Sequence, residues 1–439
     1  MFSKILVANR GEVAVRIIRA CKEMGIETVA VYSEADRNSL PVALADERIC
    51  IGSNAAAESY LNQKNIISAA LATNAEAIHP GYGFLSENAG FAKLCEENGI
   101  VFIGPKSEVI SAMGDKDTSR QLMQQVGVPV VPGTEVLKDA EEAKKYAKEI
   151  GYPLLVKATA GGGGKGIRVV AREEDLEDAF HTASREAESA FGNGEVFLEK
   201  YLTHVRHVEM QILADQQGNI LCLGERDCSL QLNKQKVLEE TPSPVMTEDI
   251  RRKMMDAAVL AAKAANYTNA GTVEFLLAPD GQFYFIEMNT RLQVEHPITE
   301  EISGVDIVKW QIRIACQVPL NMKQEDIRLQ GHAIECRINA RSTGRVEFLH
   351  IPGGGRVHFD TALMQDTVVV PFYDSMLGKL IVHANTREEA IRRMEASLCE
   401  MVIVGVETNI EEQLQLIRSK IFQKGNYDTL ILDKILKKG

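Results

Sequence analysis

Apolar positions in the first part of the chain alternate between two spacings. A solid run over residues 4–8 reads as a short buried strand. Val13, Ile17, Ile18 and Cys21 then recur at helical spacing until Gly25 stops them. Residues 28–32 form a second apolar run, so the chain opens with a βαβ unit. The pattern repeats as a helix near 59–72, a strand at 77–79, a helix near 89–98 and a strand at 101–104. It predicts a small doubly wound α/β domain over residues 1–112. The first turn carries one glycine rather than GxGxxG, which argues against a dinucleotide pyrophosphate site.

The middle of the chain reads as α+β. A helix is expected over 113–127, opened by Met113-Gly-Asp-Lys116, then an extended linker over 128–133 and an amphipathic helix over 140–149. Residues 153–170, PLLVKATAGGGGKGIRVV, follow. Gly161, Gly163 and Gly166 satisfy GxGxxG, but a strand and not a helix comes next, and Lys165 is followed by Gly166 rather than Ser or Thr. The Rossmann and P-loop readings both fail, leaving strand–glycine loop–strand. Gly162, Gly163 and Gly164 can lay bare N–H groups against a triphosphate, and Lys157 adds a point charge. A floppy turn is the plainer alternative.

A helix is expected near 174–190, then a strand over 196–202. Its end, Glu199, Lys200, Tyr201 and Leu202, fits an adenine pocket or a simple edge strand. His207, Glu209 and Gln211 alternate onto one strand face, residues 231–236 (QLNKQK) read as a polar loop, and a helix follows near 248–265. Two apolar runs then flank Asp280-Gly281, a two-residue hairpin signal. That register sets Glu274 opposite Glu287 and Thr272 opposite Asn289. Opposed carboxylates repel unless a hard divalent cation lies between them. Arg291, Gln293, Glu295 and His296 follow just past the strand end, where functional residues often cluster. Residues 298–317 read mainly as helix. Beyond 331, short strands at 332–338, 346–350, 356–360, 367–372 and 380–383 and helices at 387–398 and 409–417 predict an α+β cap over 331–439.

Composition narrows the class. At 439 residues the chain exceeds one core, so several domains are expected, and 45% hydrophobic with 25% charged residues is an ordinary globular balance. A net charge of −12 argues against general nucleic-acid binding. Eight cysteines without CxxC spacing read as reduced thiols of a cytoplasmic protein. No signal peptide is read at the start, and no apolar run reaches the roughly 18 residues of a membrane span. The loop HPGYGFLSEN, after the strand at 77–79, is either ligand-facing or a turn packed by Tyr82 and Phe84.

Lys116, Lys157, the glycine hairpin, Glu274, Glu287 and Asn289 together resemble the ATP-grasp fold. Arg10-Gly-Glu, HPGYGFLSEN, MGDK, KATAGGGGKG, RHVEMQ, GTVEF, FIEMNTRLQVEHP, ECRINA and FYDSMLGKLI, in collinear order, resemble biotin carboxylase over nearly the whole chain. The resemblance implies a Rossmann-like N-terminal domain, a central ATP-grasp region over 113–330 with a lid at about 131–203, and an α+β C-terminal domain over 331–439. It implies ATP-dependent carboxylation of biotin by bicarbonate through carboxyphosphate. Lys116, Lys157, His207 and the glycine lid would meet ATP phosphates, and Glu199, Lys200 and Leu202 the adenine. Gln231 and Lys234 would complete the nucleotide site. Glu274, Glu287 and Asn289 would hold magnesium or manganese, and Arg291, Gln293 and Val294 bicarbonate. Glu295 would be the base, with its pKa raised by burial. Lys236 would stabilise the transferring phosphoryl group and Arg337 the biotin enolate, with Tyr82 beside the biotin ring.

No Ala-Met-Lys-Met biotin-attachment motif is present, so the resemblance implies a separate biotin carboxyl carrier protein and carboxyltransferase subunits. It further implies a homodimer and a place in acetyl-CoA carboxylase and fatty acid biosynthesis, or a related carboxylase. Three departures stand out. QLNKQK replaces the usual Gln-Arg-Arg-His/Asn-Gln-Lys, Arg341-Ser-Thr-Gly-Arg345 shortens a proline-rich loop, and Pro41 stands where histidine is common. The alternatives are an ATP-grasp carboxylate–amine ligase and a nucleotide-binding subunit without turnover.

Overall fold

The computed structural model describes residues 1–159, 166–191, 193–232 and 235–432. Gly162, Gly163, Gly164 and Lys234, assigned above to nucleotide, lie outside them. The chain forms two compact units: Met1–Val128, Arg206–Phe275 and Glu287–Gly439 in the first, Pro129–Val205 and Leu276–Ile286 in the second. Among the described residues no helix is long and apolar enough to cross a membrane.

The first unit opens with a parallel sheet in the order Glu47–Gly52, Glu27–Ser33, Lys4–Val7, Ala77–His79, Val101–Phe102. Crossovers run both ways from Lys4–Val7, so the sheet is doubly wound as the apolar runs predict. Each face is dry. Ile5, Val7 and Ala30 join one buried cluster with Ile17, Ile18 and Trp310. Leu6, Val29, Val31 and Ile78 join another with Ile66 and Phe91.

At the carboxyl ends of the two central strands the topology leaves a crevice. Asn9 and the loop after His79 face each other there: Asn9 Nδ2 donates to the carbonyls of Pro80 (2.7 Å) and Tyr82 (2.8 Å). Gly81 is left-handed at φ 64°, and a Cβ on it would come within 2.9 Å of Asn9 Nδ2. Burial brings the His79 pKa down to about 3, so its neutral Nδ1 accepts from Gly81 N at 3.1 Å.

An eight-stranded sheet follows, in the order Phe283–Asn289, Asn269–Leu277, Arg206–Ala214, Ile220–Leu232, Gln235–Thr241, His332–Asn339, Met376–Ala384, Val357–Thr361. The expected boundary at 331 therefore falls inside one continuous sheet. Cross-strand register makes the two faces differ. Leu238, Cys336, Leu380 and Phe359 form one row, packed with Met394, Leu398 and Ile417 in a buried apolar cluster. The opposite face carries Glu239 beside Glu335, and Arg337 beside Lys379 beside Asp360.

In the second unit, Leu154–Ala158 pairs antiparallel with both Ile167–Val170 and Val196–Lys200. Helices Ala140–Ile150 and Leu176–Phe191 supply Ala143, Ala147, Leu176 and Phe180 to its core. The paired strands flank the glycine run as strand–loop–strand requires.

Several local expectations need correction. The turn at Asp280-Gly281 has three residues: Gly281 N donates to Ala278 O (3.0 Å) and Ala278 N to Gln282 O (2.8 Å), with Gly281 at φ 83°. Ala278 thus faces Gln282, one residue away from the register expected there. Residues 231–232 and 235–236 are strand ends, not loop. The helix expected over 298–317 is two, His296–Ser303 and Ile307–Ala315, because Gly304 turns left-handed at φ 70° and Asp306 caps the second by accepting from Lys309 N. The helix opened at Met113-Gly-Asp-Lys116 is present as Lys116–Gln125, with Asp115 accepting from Thr118 N, and an unexpected helix, Ser107–Gly114, precedes it.

Candidate active site

One ammonium organises the first unit's polar centre. Lys236, at the start of Gln235–Thr241, donates to Glu209 (2.6 Å), Glu274 (3.0 Å) and Glu295 (2.7 Å). Glu209 and Glu274 come from the middle strands, and Glu295 precedes helix His296–Ser303. A lysine serving three carboxylates outweighs the cost of drying it, so its pKa lies well above the usual value.

Arg337 closes the other side. Its guanidinium bonds Glu239 Oε1 (2.7 Å) and Glu295 Oε2 (3.0 Å). Burial pushes the Glu295 carboxyl up, but Lys236, Arg337 and Arg226 outweigh it and hold it well below the usual carboxylate range. The expectation of a raised Glu295 is therefore not met, because these three cations outweigh burial.

Beneath this pair lies Arg226, 0% exposed on the strand Ile220–Leu232. It bonds Glu209 (2.6 Å), Gln211 (2.7 Å), Thr299 (2.9 Å), Thr272 (3.2 Å) and Gln293 (2.7 Å). Gln293 and Asn289 in turn each donate to Glu274 Oε1 at 2.9 Å. Arg291 reaches Asn289 Oδ1 (2.9 Å) and Glu87 (2.7 Å). Lys379, 0% exposed, holds the Val294 carbonyl at 2.8 Å and lies 3.2 Å from Glu12. Glu12 also accepts from the Tyr82 hydroxyl. Sequence reading passes over Arg226 and gives no separate role to Glu12, Glu87 or Lys379, though each stands in a motif quoted above. Arg226 stands between Glu225 and Asp227 and Lys379 is a single charge in a strand run, and only their cross-strand neighbours reveal burial.

Glu274 is pushed up by burial but held well below its usual range by Lys236 and His207, whose Nε2 is 2.9 Å from Glu274 Oε2. Gln231 Nε2 lies 2.9 Å from His207 Nδ1. Glu287 is raised, by burial and then by Glu274. Lys116, first in its helix, and His207 oppose this rise. Glu287 makes no ion pair among the described residues, and a carboxylate raised by a neighbouring carboxylate suits an oxygen-ligated divalent cation. Asn289, however, gives its amide to Glu274 and its oxygen to Arg291, so its oxygen is already engaged.

Two cavities meet at these residues. One of ≈ 430 Å³ is lined by His207, Gln231, Lys236, Glu274, Glu287, Asn289, Arg291, Gln293, Val294, Glu295 and Arg337. The other, of ≈ 370 Å³, is lined by Tyr82, Phe84 and Arg10 in the N-terminal crevice and shares Arg291, Val294 and Arg337 with the first. Lys157, Glu199, Lys200 and Leu202 belong to the second unit. There Lys157 pairs with Glu199 at 2.5 Å, and Lys200 Nζ donates to the carbonyls of Gly151 (2.9 Å) and Tyr152 (3.2 Å).

A buried acid–base cluster beside Glu274 and Glu287, on a sheet following a doubly wound domain, defines an ATP-grasp enzyme, and comparison with known proteins agrees. Residues 1–110 match the model for the biotin carboxylase N-terminal domain, 115–323 that for the carbamoyl-phosphate synthase L chain ATP binding domain, and 335–434 that for the biotin carboxylase C-terminal domain. Biotin carboxylase 1 of Bacillus subtilis is 53% identical, over 99% of this chain and 98% of that one. A biotin carboxylase from Campylobacter jejuni, solved as a β-γ-ATP complex, aligns with a TM-score of 0.92 at 46% identity, over 100% of this chain and 99% of that one. The biotin carboxylase domain dimer of Hydrogenobacter thermophilus 2-oxoglutarate carboxylase, solved with MgADP, ADP and bicarbonate, aligns at 0.89 and 49% identity, over 99% and 98% of the two chains. The chain belongs to the biotin carboxylase family.

Proposed function

We propose that this protein carboxylates biotin with bicarbonate at the expense of ATP. The observation that carries this is the joining of Glu295, Lys236 and Arg337 by direct ion pairs in one cavity, with Arg337 also lining the second. Arg291, Gln293 and Val294 hold bicarbonate, and Glu295 takes its proton. The bicarbonate oxygen attacks the γ-phosphorus, the bond to ADP breaks, and carboxyphosphate forms. Lys236 and His207 neutralise the charge that develops on the phosphoryl oxygens. Carboxyphosphate splits into carbon dioxide and phosphate. Phosphate removes the ureido proton of biotin, whose nitrogen attacks carbon dioxide while Arg337 balances the enolate oxygen. Biotin lies in the cavity beside Tyr82. Magnesium or manganese would be held by Glu274 and Glu287, with Asn289 joining them once Arg291 leaves its oxygen, and would supply charge neutralisation at the phosphates. Lys116, Lys157, the glycines 162–164 and Lys234 serve the phosphates and ribose, and Glu199, Lys200 and Leu202 the adenine.

Biotin arrives on a carrier protein, and a carboxyltransferase passes the carboxyl group on. We take acetyl-CoA, in fatty acid biosynthesis in the cytoplasm, as the first candidate acceptor. A 2-oxo acid is the second, favoured by the similarity to a 2-oxoglutarate carboxylase domain, whose dimeric form also supports a homodimer here. The test is ADP release with magnesium, with and without bicarbonate and biotin, beside Glu295→Gln. A rate that needs bicarbonate, rises with biotin and disappears in the variant supports the reading. A rate indifferent to bicarbonate returns the site to a carboxylate–amine ligase.

A further inference from the structure

Behind Arg337 sits a second pair of acids with no part in the steps above. Glu239 and Glu335 are directly opposite on adjacent antiparallel strands, and each is 0% exposed. Directly opposed residues share a sheet face with Cβ atoms about 5 Å apart, and like charges there repel. Glu239 Oε1 takes Arg337, but its Oε2 has no hydrogen-bond partner, and neither oxygen of Glu335 has one among the described residues. Two ionised carboxylates are acceptors only and cannot satisfy each other; a proton on one makes it a donor.

The cations nearby are committed elsewhere. Lys379, from the next strand, is bonded to the Val294 carbonyl and lies against Glu12 and Asp360. Arg337 divides its guanidinium between Glu239 and Glu295. Tyr82 adds no positive charge. Burial raises Glu335 well above the usual carboxylate range, against Lys379 and with Glu239. Burial likewise raises Glu239, to about 7.

We propose that Glu239 and Glu335 share one proton, Glu335 being the neutral acid that donates to Glu239, and that this proton sets the aim and net charge with which Arg337 faces the cavity. Glu335 is then a positioning residue, acting through Glu239 and Arg337 on the enolate step, a role that rests on the proposed biotin carboxylation. With the proton in place, Glu239 alone draws on Arg337. Once it is lost, a second anion competes with Glu295 and the enolate for the same guanidinium.

Infrared spectroscopy of the ligand-free protein across pH tests the shared proton without turnover, so its failure is distinct from failure of the enzymatic reading. The wild type is expected to show the C=O stretch of an un-ionised carboxylic acid at neutral pH. It should fade as pH rises and be missing in Glu335→Gln. Absence of that band in the wild type, or its persistence in Glu335→Gln, overturns the proposal. Should Glu335→Gln fail to fold, Glu239→Gln decides: removing the opposing anion must move the fading to lower pH, and an unmoved band refutes the pairing. In bicarbonate-dependent ADP release, Glu335→Gln should lose a severalfold alkaline fall in kcat while KM for ATP stays put. A profile identical to the wild type removes the positioning role.

Discussion

The two sheets of the first unit bury their strands in opposite ways. The parallel N-terminal sheet is apolar on both faces, with Ile5 and Val7 in one cluster and Leu6 and Val29 in another. The eight-stranded sheet is apolar on one face only; the other carries Arg226, Lys379, Glu239 and Glu335, each 0% exposed. Both sheets are shut off from solvent, yet one is held by transfer of hydrocarbon on both faces and the other, on one face, by charges that must remain matched. The first tolerates small errors of shape, while the second responds to any change in the number of charges.

The sharpest break of that contrast is Arg226→Met. It takes away one of the two cations of Glu209 and leaves Gln211, Thr272, Gln293 and Thr299 without their donor, so urea unfolding should show a loss of about 3–5 kcal/mol. Next is Lys236→Met, which leaves Glu209, Glu274 and Glu295 without their common cation. Bicarbonate-dependent kcat should fall by about 10²–10³ with ATP still bound, as measured by turnover and calorimetry.

A third test lies at the rim of the apolar face. Burial pushes Glu240 up, but His332 and Arg387 bring it from 4.5 to about 2. A depressed acid stabilises the fold above its unfolded value, and that contribution goes as pH falls from 4.5 through about 2. Glu240→Gln should remove about 3 kcal/mol at neutral pH and flatten the acid limb of the stability curve. The smallest effect belongs to the parallel sheet: Ile78→Val, in a fully apolar setting, should cost about 0.5–1.5 kcal/mol with no pH dependence.

The same contrast explains what could be read in the sequence. The parallel domain was legible because Lys4–Val7, Glu27–Ser33 and the helix Gly11–Glu23 announce themselves through solid apolar runs and helical spacing. Glu274, Glu287, Arg291, Gln293 and Glu295 were legible as polar residues crowded at a strand end, and the family motifs marked Lys236 and Arg337. Arg226, Lys379 and Glu335 were not, because a charge in an alternating strand ordinarily reads as solvent-facing. Their burial depends on helix His296–Ser303, whose Thr299 bonds Arg226, and on the N-terminal helix, whose Glu12 meets Lys379. The three-residue turn at Gly281 escaped because Pro279-Asp280-Gly281 fits both hairpin lengths until the flanking hydrogen bonds are known.

The single ammonium of Lys236 shared among Glu209, Glu274 and Glu295 also has a consequence for how this protein can drift. Any one of the four residues, changed alone, leaves an odd charge in a dry place. Viable lineages must therefore move through paired substitutions, and the folding stability lost in Lys236→Met should be regained by a second change at Glu209, as urea unfolding would show, without any return of turnover.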